Sequence, residues 1–457
     1  MQGVTTSHST GAQGRVLDAR LLTLSLGFFV VIMDATIVNT ANPTIGAQLH
    51  AGLGALQWVL DGYTLVFACL LLTGGSLADR FGARRVFLTG LLLFALASAG
   101  CGLATDVTVL NLARVVQGIA SALALPSSLS LIAASFPDAT RRARAIGIWG
   151  AVGGIAASTG PLAGGVLTGT LGWRPIFLIN IPICLIAALL TIRTIPAPAP
   201  RTGVGFDLTG QLALVLASAA LVFGLINGKH GWADPLTLGS IALGLAGFAV
   251  FGLVEHRVRT PMFPLPLLRH PGLRHSLLVG CAINTGIYGV LFVLTFFLQH
   301  TRNLPPLLAG LAVAPLAAIT LFGSAFSGRA MIRFGTKPVL CSGVSLAALG
   351  AGWLAATAHA PYPVLLPGMV LLGFGVSFTM PAATATAIGS VPAERAGLAS
   401  GALNASRQFG SAIGVAVLGS LSESGGMALA AIAGALALFL AVPSALRAGR
   451  SRAGKAA

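Results

Sequence analysis

Within GFFVVIMDATIVNTA, residues 27–41, one carboxylate, Asp34, stands near the middle of an apolar run, with Asn39 five residues further on. A charged side chain at the centre of a bilayer costs about 2.5–3.5 kcal/mol on insertion scales, so an ionisable group there calls for a partner or a function. Other apolar runs hold two more: Asp61 in WVLDGYTL, and Arg114 in LARVVQGIASA with Gln117 one turn beyond it. Burial favours the neutral acid, and a nearby guanidinium favours the carboxylate. A carboxyl group pulled both ways can take up and release a proton near physiological pH. That is the chemistry of proton coupling, and Asp34, Arg114 and Asp61 are its candidates. A permanent Asp34–Arg114 pair that only packs helices is the alternative.

Other chemistries are poorly supplied. GAVGGIA (150–156) opens no strand-to-helix transition, and no Gly-rich loop is followed by G-K-[ST], so no phosphate-binding loop is expected. No nucleophile–base–orienter set is present, and no histidine lies deep in an apolar run. Cys69, Cys101, Cys184, Cys281 and Cys341 lie inside such runs at no metal-ligand spacing and read as buried free thiols. The expectation is a non-enzyme with no cofactor and no metal.

The elements that must position these charges are membrane helices. The chain has 457 residues, of which 55% are hydrophobic and only 8% charged, against roughly 25% charged in soluble domains. Runs long enough for a hydrocarbon core of about 30 Å recur from end to end. Fourteen are expected, near 21–45, 56–77, 86–104, 108–134, 144–168, 175–195, 208–228, 235–254, 275–299, 306–328, 338–358, 363–388, 398–421 and 426–446. The first exceeds a signal-peptide core and reads as an uncleaved span. With the N-terminus in the cytoplasm, Arg114 and Arg407 lie within spans and Arg174, Lys229 and Arg302 outside; every other Lys and Arg falls in an inner loop or a tail. That is the positive-inside rule followed along the whole chain, and it accounts for the net charge of +16 without nucleic acid. Asp34 then lies about 15 Å, and Arg114 about 10 Å, below the outer ends of antiparallel spans.

RFGARRVFLTG (80–90) after the second span is echoed by RFGTKPVLCSG (333–343) after the tenth. RARAIGIWGAVGG (142–154) is echoed by AERAGLASGALNA (393–405) at nearly the same offset. The chain therefore divides into a cytoplasmic tail (1–20), an N-terminal six-helix half (21–200), an inserted helix pair (201–258), a C-terminal six-helix half (259–446) and a second cytoplasmic tail (447–457). Parallel six-span repeats place a binding site near the midplane between the halves.

Several motifs now carry a resemblance. GGSLADRFGARR (74–85) resembles the loop signature of the major facilitator superfamily. LARVVQGIASA (112–122) looks like its fourth-span motif, and STGPLAGG (158–165) is similar to the fifth-span motif of its antiporters. MDATIVNTANP (33–43), GWRPIFLINIP (172–182) and GLASGALNASRQFG (397–410) resemble the fourteen-span drug:proton antiporter branch. WVLDGYTL with LPSSLSL is similar to antibiotic exporters of the methylenomycin type. Ala83 and Ala120 stand where the family usually has a basic residue and a glycine. The resemblance implies an all-α polytopic fold of two six-helix halves plus an inserted pair. It implies export of drugs, biocides or an antibiotic against inward proton flow, by alternating access. Proton-linked uptake of a small metabolite is the alternative, against which STGPLAGG weighs.

The resemblance further implies a cytoplasmic latch built on Gly75, Asp79, Arg80, Gly82, Arg84 and Arg85, and an export motif at Gly160, Pro161, Gly164 and Gly165. Candidates to line a partly polar cavity are Asn39, Asn42, Gln117, Asn180, Asn284, Tyr288, Gln299, Asn404, Arg407 and Gln408. Thr40 and Asn42 replace usually apolar residues and admit a more polar substrate than a purely lipophilic cation. Expected partners are a lipophilic, cationic or antibiotic small molecule, protons and membrane lipid. A monomer is expected in the inner, cytoplasmic membrane of a bacterium, with both termini inside.

Overall fold

The structure, a computed structural model, describes residues 10–136, 138–196, 207–258, 261–392 and 395–448. Most of the two expected tails, with Arg201 and Arg259, lies outside these residues. The described chain is helical: α1 (Thr10–Leu49), α2 (Leu53–Phe81), α3 (Ala83–Gly102), α4 (Val107–Ser135), α5 (Ala139–Leu171), α6 (Pro175–Leu178), α7 (Asn180–Thr194), α8 (Leu208–Asn227), α9 (Pro235–Arg257), α10 (Pro271–Phe296), α11 (Pro306–Phe334), α12 (Thr336–Ala356), α13 (Tyr362–Gly389) and α14 (Ala396–Ala448).

Helix starts follow from local chemistry. Asp106, Asp138, Asp207 and Asp234 precede α4, α5, α8 and α9, and each side chain accepts from backbone N–H groups of the first turn. Such caps satisfy donors that a helix start leaves open. The two R-F-G sequences turn alike. Gly82 between α2 and α3 has φ 90°, and Gly335 between α11 and α12 has φ 84°, a region that favours glycine.

Thirteen helices among the described residues are long and apolar enough to cross a membrane, α6 and α7 together making one of them. The sequence count was fourteen. The difference lies in α14, where a non-helical Gly426 (φ 66°, ψ −169°) joins two helices. The second, from Gly426, belongs to the thirteen. The first carries Asn404, Ser406, Arg407, Gln408 and Ser411, which lower its apolarity and keep it out of the thirteen.

α1 packs on α4, α5 and α7, and α2 and α3 pack on α4; α10 packs on α13 and α14, and α12 on α13 and α14. Two seams join these groups, α2 against α14 and α5 against α11. α8 lies along α2 and α14, while α9 packs on α8 and turns Leu238, Leu243, Leu245, Val250 and Leu253 outward, as a lipid-facing helix does.

One apolar core joins both groups toward the Leu49 end of the bundle, where Ile37, Ala41 and Leu60 share a cluster with Val290, Val313 and Leu316. Toward the Gly82 end the cores separate. Leu24, Phe67, Phe87 and Trp149, with Ala405 of α14, form one cluster; Val339, Leu340, Ala382 and Ala445 form another. Of the five free thiols, Cys69, Cys101 and Cys184 are buried as expected, whereas Cys281 and Cys341 are only half-buried.

Candidate functional site

Asp34 sits on the α1 face that meets α4 and α7, fully buried. One carboxylate oxygen is in contact with the Arg114 guanidinium, forming an ion pair. The other accepts from Asn180 Nδ2 of α7 at 2.7 Å and from Gln117 Nε2 at 3.3 Å. Arg114 donates Nε to the Val59 carbonyl of α2 at 2.8 Å and one terminal nitrogen to Gln117 Oε1 at 2.8 Å. The Tyr63 ring lies 4.3 Å from the guanidinium carbon. Ser98 of α3 closes the network, accepting from Gln117 Nε2 at 2.7 Å and Asn180 Nδ2 at 3.3 Å. An ion pair in a dry interior stands only when further hydrogen bonds hold both partners, and this one is held from α1, α2, α3, α4 and α7.

Depth counting from the sequence puts Asp34 and Arg114 at similar depth, the family resemblance implies that their helices adjoin, and the structure pairs them. Ser98 and Tyr63 were missed, although the same counting places Ser98 about 9 Å below the end of its span, beside Arg114. Asn42, Gln117 and Asn180, expected as cavity residues, are buried; Asn42 Nδ2 donates to the Leu56 carbonyl at 3.0 Å. Asn39 is buried as well.

Asp61 is fully buried, and neither of its oxygens has a hydrogen-bond partner. One turn before it, Gln57 donates to the Val415 and Ala416 carbonyls of α14; one turn beyond, Leu65 packs with α8 and α14 residues. The α2 stripe carrying Asp61 therefore faces that seam. An ionised carboxylate without a partner in such a place is far costlier than the neutral acid.

On the other side, Asn284 of α10 donates to Ser411 Oγ at 3.1 Å, and Gln299 donates to the Thr40 carbonyl of α1 at 2.8 Å. Arg407 reaches from α14 to the Met380 carbonyl (2.7 Å) and Thr384 Oγ1 (2.8 Å) of α13. Tyr288, Asn404 and Gln408 are half-buried. Gln117 and Asn180 thus gather around Asp34; Asn284, Asn404 and Gln408 lie on the helices that hold Arg407; Gln299 and Asn42 bond backbone at the Leu49 end.

The family model of the Major Facilitator Superfamily matches residues 24–415 and 277–456. The chain belongs to that superfamily. It is 38% identical to the multidrug resistance protein Stp of Mycobacterium tuberculosis over 88% of this chain and 75% of Stp. It is 36% identical to the methylenomycin A resistance protein of Streptomyces coelicolor over 92% of this chain and 91% of that one. The sequence resemblance to resistance transporters is thereby met. The nucleoside transporter NupG shares the fold, with a TM-score of 0.66 at 14% identity over 94% of this chain and all of that one.

The superfamily motifs take distinct places. Gly160 and Gly164 bring α5 against α1: a Cβ at Gly160 would lie 2.0 Å from Thr36 Oγ1, and one at Gly164 2.5 Å from the Ile37 carbonyl. Thr40 Oγ1 donates to the Pro161 carbonyl at 3.2 Å. Gly165 points the other way, toward α11, where a Cβ would lie 3.1 Å from the Gly310 Cα. In the loop motif, Arg84 donates to the Ile192 carbonyl near the end of α7 at 2.7 Å, and Arg80 covers the Phe81 ring. Asp79 and Gly75 are half-buried at the end of α2, with Arg85 exposed.

Proposed function

We propose that the chain is a proton-coupled exporter of drugs or an antibiotic, working by alternating access in the cytoplasmic membrane of a bacterium. The observation that carries this reading is the buried Asp34–Arg114 network in a relative of resistance transporters. A membrane transporter that confers resistance must lower the concentration inside the cell. Asp34 is the coupling carboxylate, released from Arg114 in one conformation and protonated there; Asp61, unpartnered here, is a second proton carrier. One pH unit gives about 1.4 kcal/mol, and a charge crossing ~150 mV about 3.4 kcal/mol. A hundredfold substrate gradient needs about 2.7 kcal/mol, so one proton suffices.

In this reading the 396–425 part of α14 is the fourteenth span. Residues 21–200 and 259–446 are the two halves and 201–258 the inserted pair, with both termini and the Gly82 end in the cytoplasm. The two R-F-G turns and the seams that pair second and fifth helices of opposite halves support that division. Gly75 through Arg85 form the cytoplasmic latch, and Gly160 through Gly165 hold the outer side shut. The transporting unit is one chain, since both halves and their seams come from it.

The test uses everted membrane vesicles with an imposed pH gradient and a panel of dyes and antibiotics of differing charge. Wild type should accumulate at least one panel member only while the gradient lasts. Asp34→Asn should abolish that accumulation at matched expression. Accumulation indifferent to the gradient, or unchanged in Asp34→Asn and Asp61→Asn alike, would sink the reading.

A further inference from the structure

Arg407 is a cation inside the bundle, and among the described residues no carboxylate pairs with it. Among residues 259–446 the acids are Glu394 and Glu423. Glu394 lies outside the described residues, and Glu423 stands about 24 Å from Arg407 along the same helix. Across the seam, Asp34 is held by Arg114, and the oxygens of Asp61 have no partner. The groups that do hold Arg407, the Met380 carbonyl and Thr384 Oγ1, are neutral, and its Nε is buried without a partner.

Its place is shaped for it. A Cβ at Gly280 of α10 would lie 2.8 Å from Leu403 Cδ1 and in contact with Arg407 Cγ at 3.4 Å, so α14 approaches bare α10 backbone here and Arg407 runs along it. Asn284 and Tyr288 follow Gly280 at four-residue steps on the same face of α10, and Asn404 and Gln408 flank Arg407 on α14. Asn284 is buried, with its Oδ1 unpartnered. Ionisable residues within spans face protein or a water-filled path and mark what moves there. Asp34 is paired with Arg114, so Arg407 presents a positive charge that no carboxylate among the described residues touches. A cationic drug would be repelled by it.

We infer that Arg407 anchors an anionic group of the transported molecule, a carboxylate above all, between α10 and α13; this rests on the export reading above. The guanidinium keeps Nε for the anion, and the neutral contacts orient it without cancelling its charge. A carboxylate bound there forms a charge-assisted pair in a low-dielectric site, where such pairs are strongest. The substrate class is then the organic acids and zwitterions among antibiotics, rather than lipophilic cations.

Three probes on one ring decide it: 9-anthracenecarboxylate, its methyl ester, and (9-anthracenylmethyl)trimethylammonium. Binding to the purified full chain in lipid nanodiscs is followed by fluorescence, with empty nanodiscs subtracted. Wild type should bind the carboxylate about tenfold more tightly than the ester, with the ammonium weakest. Arg407→Gln should bring carboxylate and ester to equal affinity, and Arg407→Lys should keep part of the preference. Equal binding of all three probes by wild type overturns the inference, as does binding of none, or a preference that survives Arg407→Gln. Gradient-driven export of ester or ammonium without carboxylate preference would leave export standing and sink the anchor. A carboxylate preference without gradient-driven movement would keep the anchor and sink export.

Discussion

Asp34 keeps a charge in the interior because Arg114, Gln117 and Asn180 supply donors to it, and removing it would leave Arg114 buried and unpaired. Breaking one side of such a pair typically costs about 3–5 kcal/mol, whereas removing both sides costs much less. Asp34→Asn should therefore lower the thermal midpoint of the purified protein sharply, and adding Arg114→Gln should recover most of the loss. If transport stays lost in the refolded double variant, the carboxylate has a role beyond packing. A double variant no more stable than the single would show that the pair is not what holds these helices. Much of this site was legible in the sequence, because a charge inside an apolar run stands out and depth can be counted along antiparallel spans. Ser98 and Tyr63 were not, since hydroxyl groups are common in membrane helices and their partners depend on which faces meet.

At the scale of elements, helix ends were legible and helix contacts were not. Aspartates before apolar runs announce the starts of α4, α5, α8 and α9. Asp106, outside the span it caps, shows what such a cap does. The Val109 N–H, followed by that of Thr108, holds its carboxyl below the usual aspartate range. A depressed folded pKa means that the cap stabilises α4 above about pH 4, the unfolded value, and loses that contribution as pH falls through the folded one. Asp106→Ala should lower the thermal midpoint at pH 7, and the gap from wild type should close on acidification. A gap independent of pH would show that the charge is irrelevant there. The sequence separates spans near 398–421 and 426–446, and the non-helical Gly426 stands at that boundary. Gly165 and Gly310 show what the motif alone could not, that α5 meets α11 through bare backbone. Gly165→Val should cost about 1–3 kcal/mol by overpacking, read as a lower midpoint, and should loosen the Leu49 end of the seam. An unchanged midpoint would mean that the seam gives way freely.

The molecule as a whole is closed at one end and parted at the other. Along α5, Gly165, Ser158, Gly154 and Gly147 recur at helical spacing and define the face toward α11. At the Leu49 end that face is packed, with Gly165 on Gly310 and Ser158 Oγ donating to the Ala317 carbonyl at 2.9 Å. Further along, a Cβ at Gly154 or Gly147 would meet nothing within 4 Å, and on α11 the same holds at Gly328, with Ser324 exposed. The second seam behaves differently, for α2 and α14 touch both at Gln57 and at Leu72, where a Cβ at Gly401 would lie 3.0 Å from the leucine. The opening at the Gly82 end is therefore a cleft between α5 and α11. Movement that closes it must prise apart Gly165 and Gly310, because packed interfaces switch between discrete arrangements rather than stretch. With the Gly82 end in the cytoplasm, as proposed above, a thiol at position 154 should react quickly with an impermeant maleimide from the cytoplasmic side, and one at position 169, against Leu307, slowly from the outside. A bias of about 1.4 kcal/mol toward the opposite conformation shifts the balance roughly tenfold. Conditions that drive transport should slow Gly154→Cys labelling and speed Gly169→Cys labelling by comparable factors, because one motion governs both. Rates that change at one position and not at the other would rule out a single rocking motion about these seams.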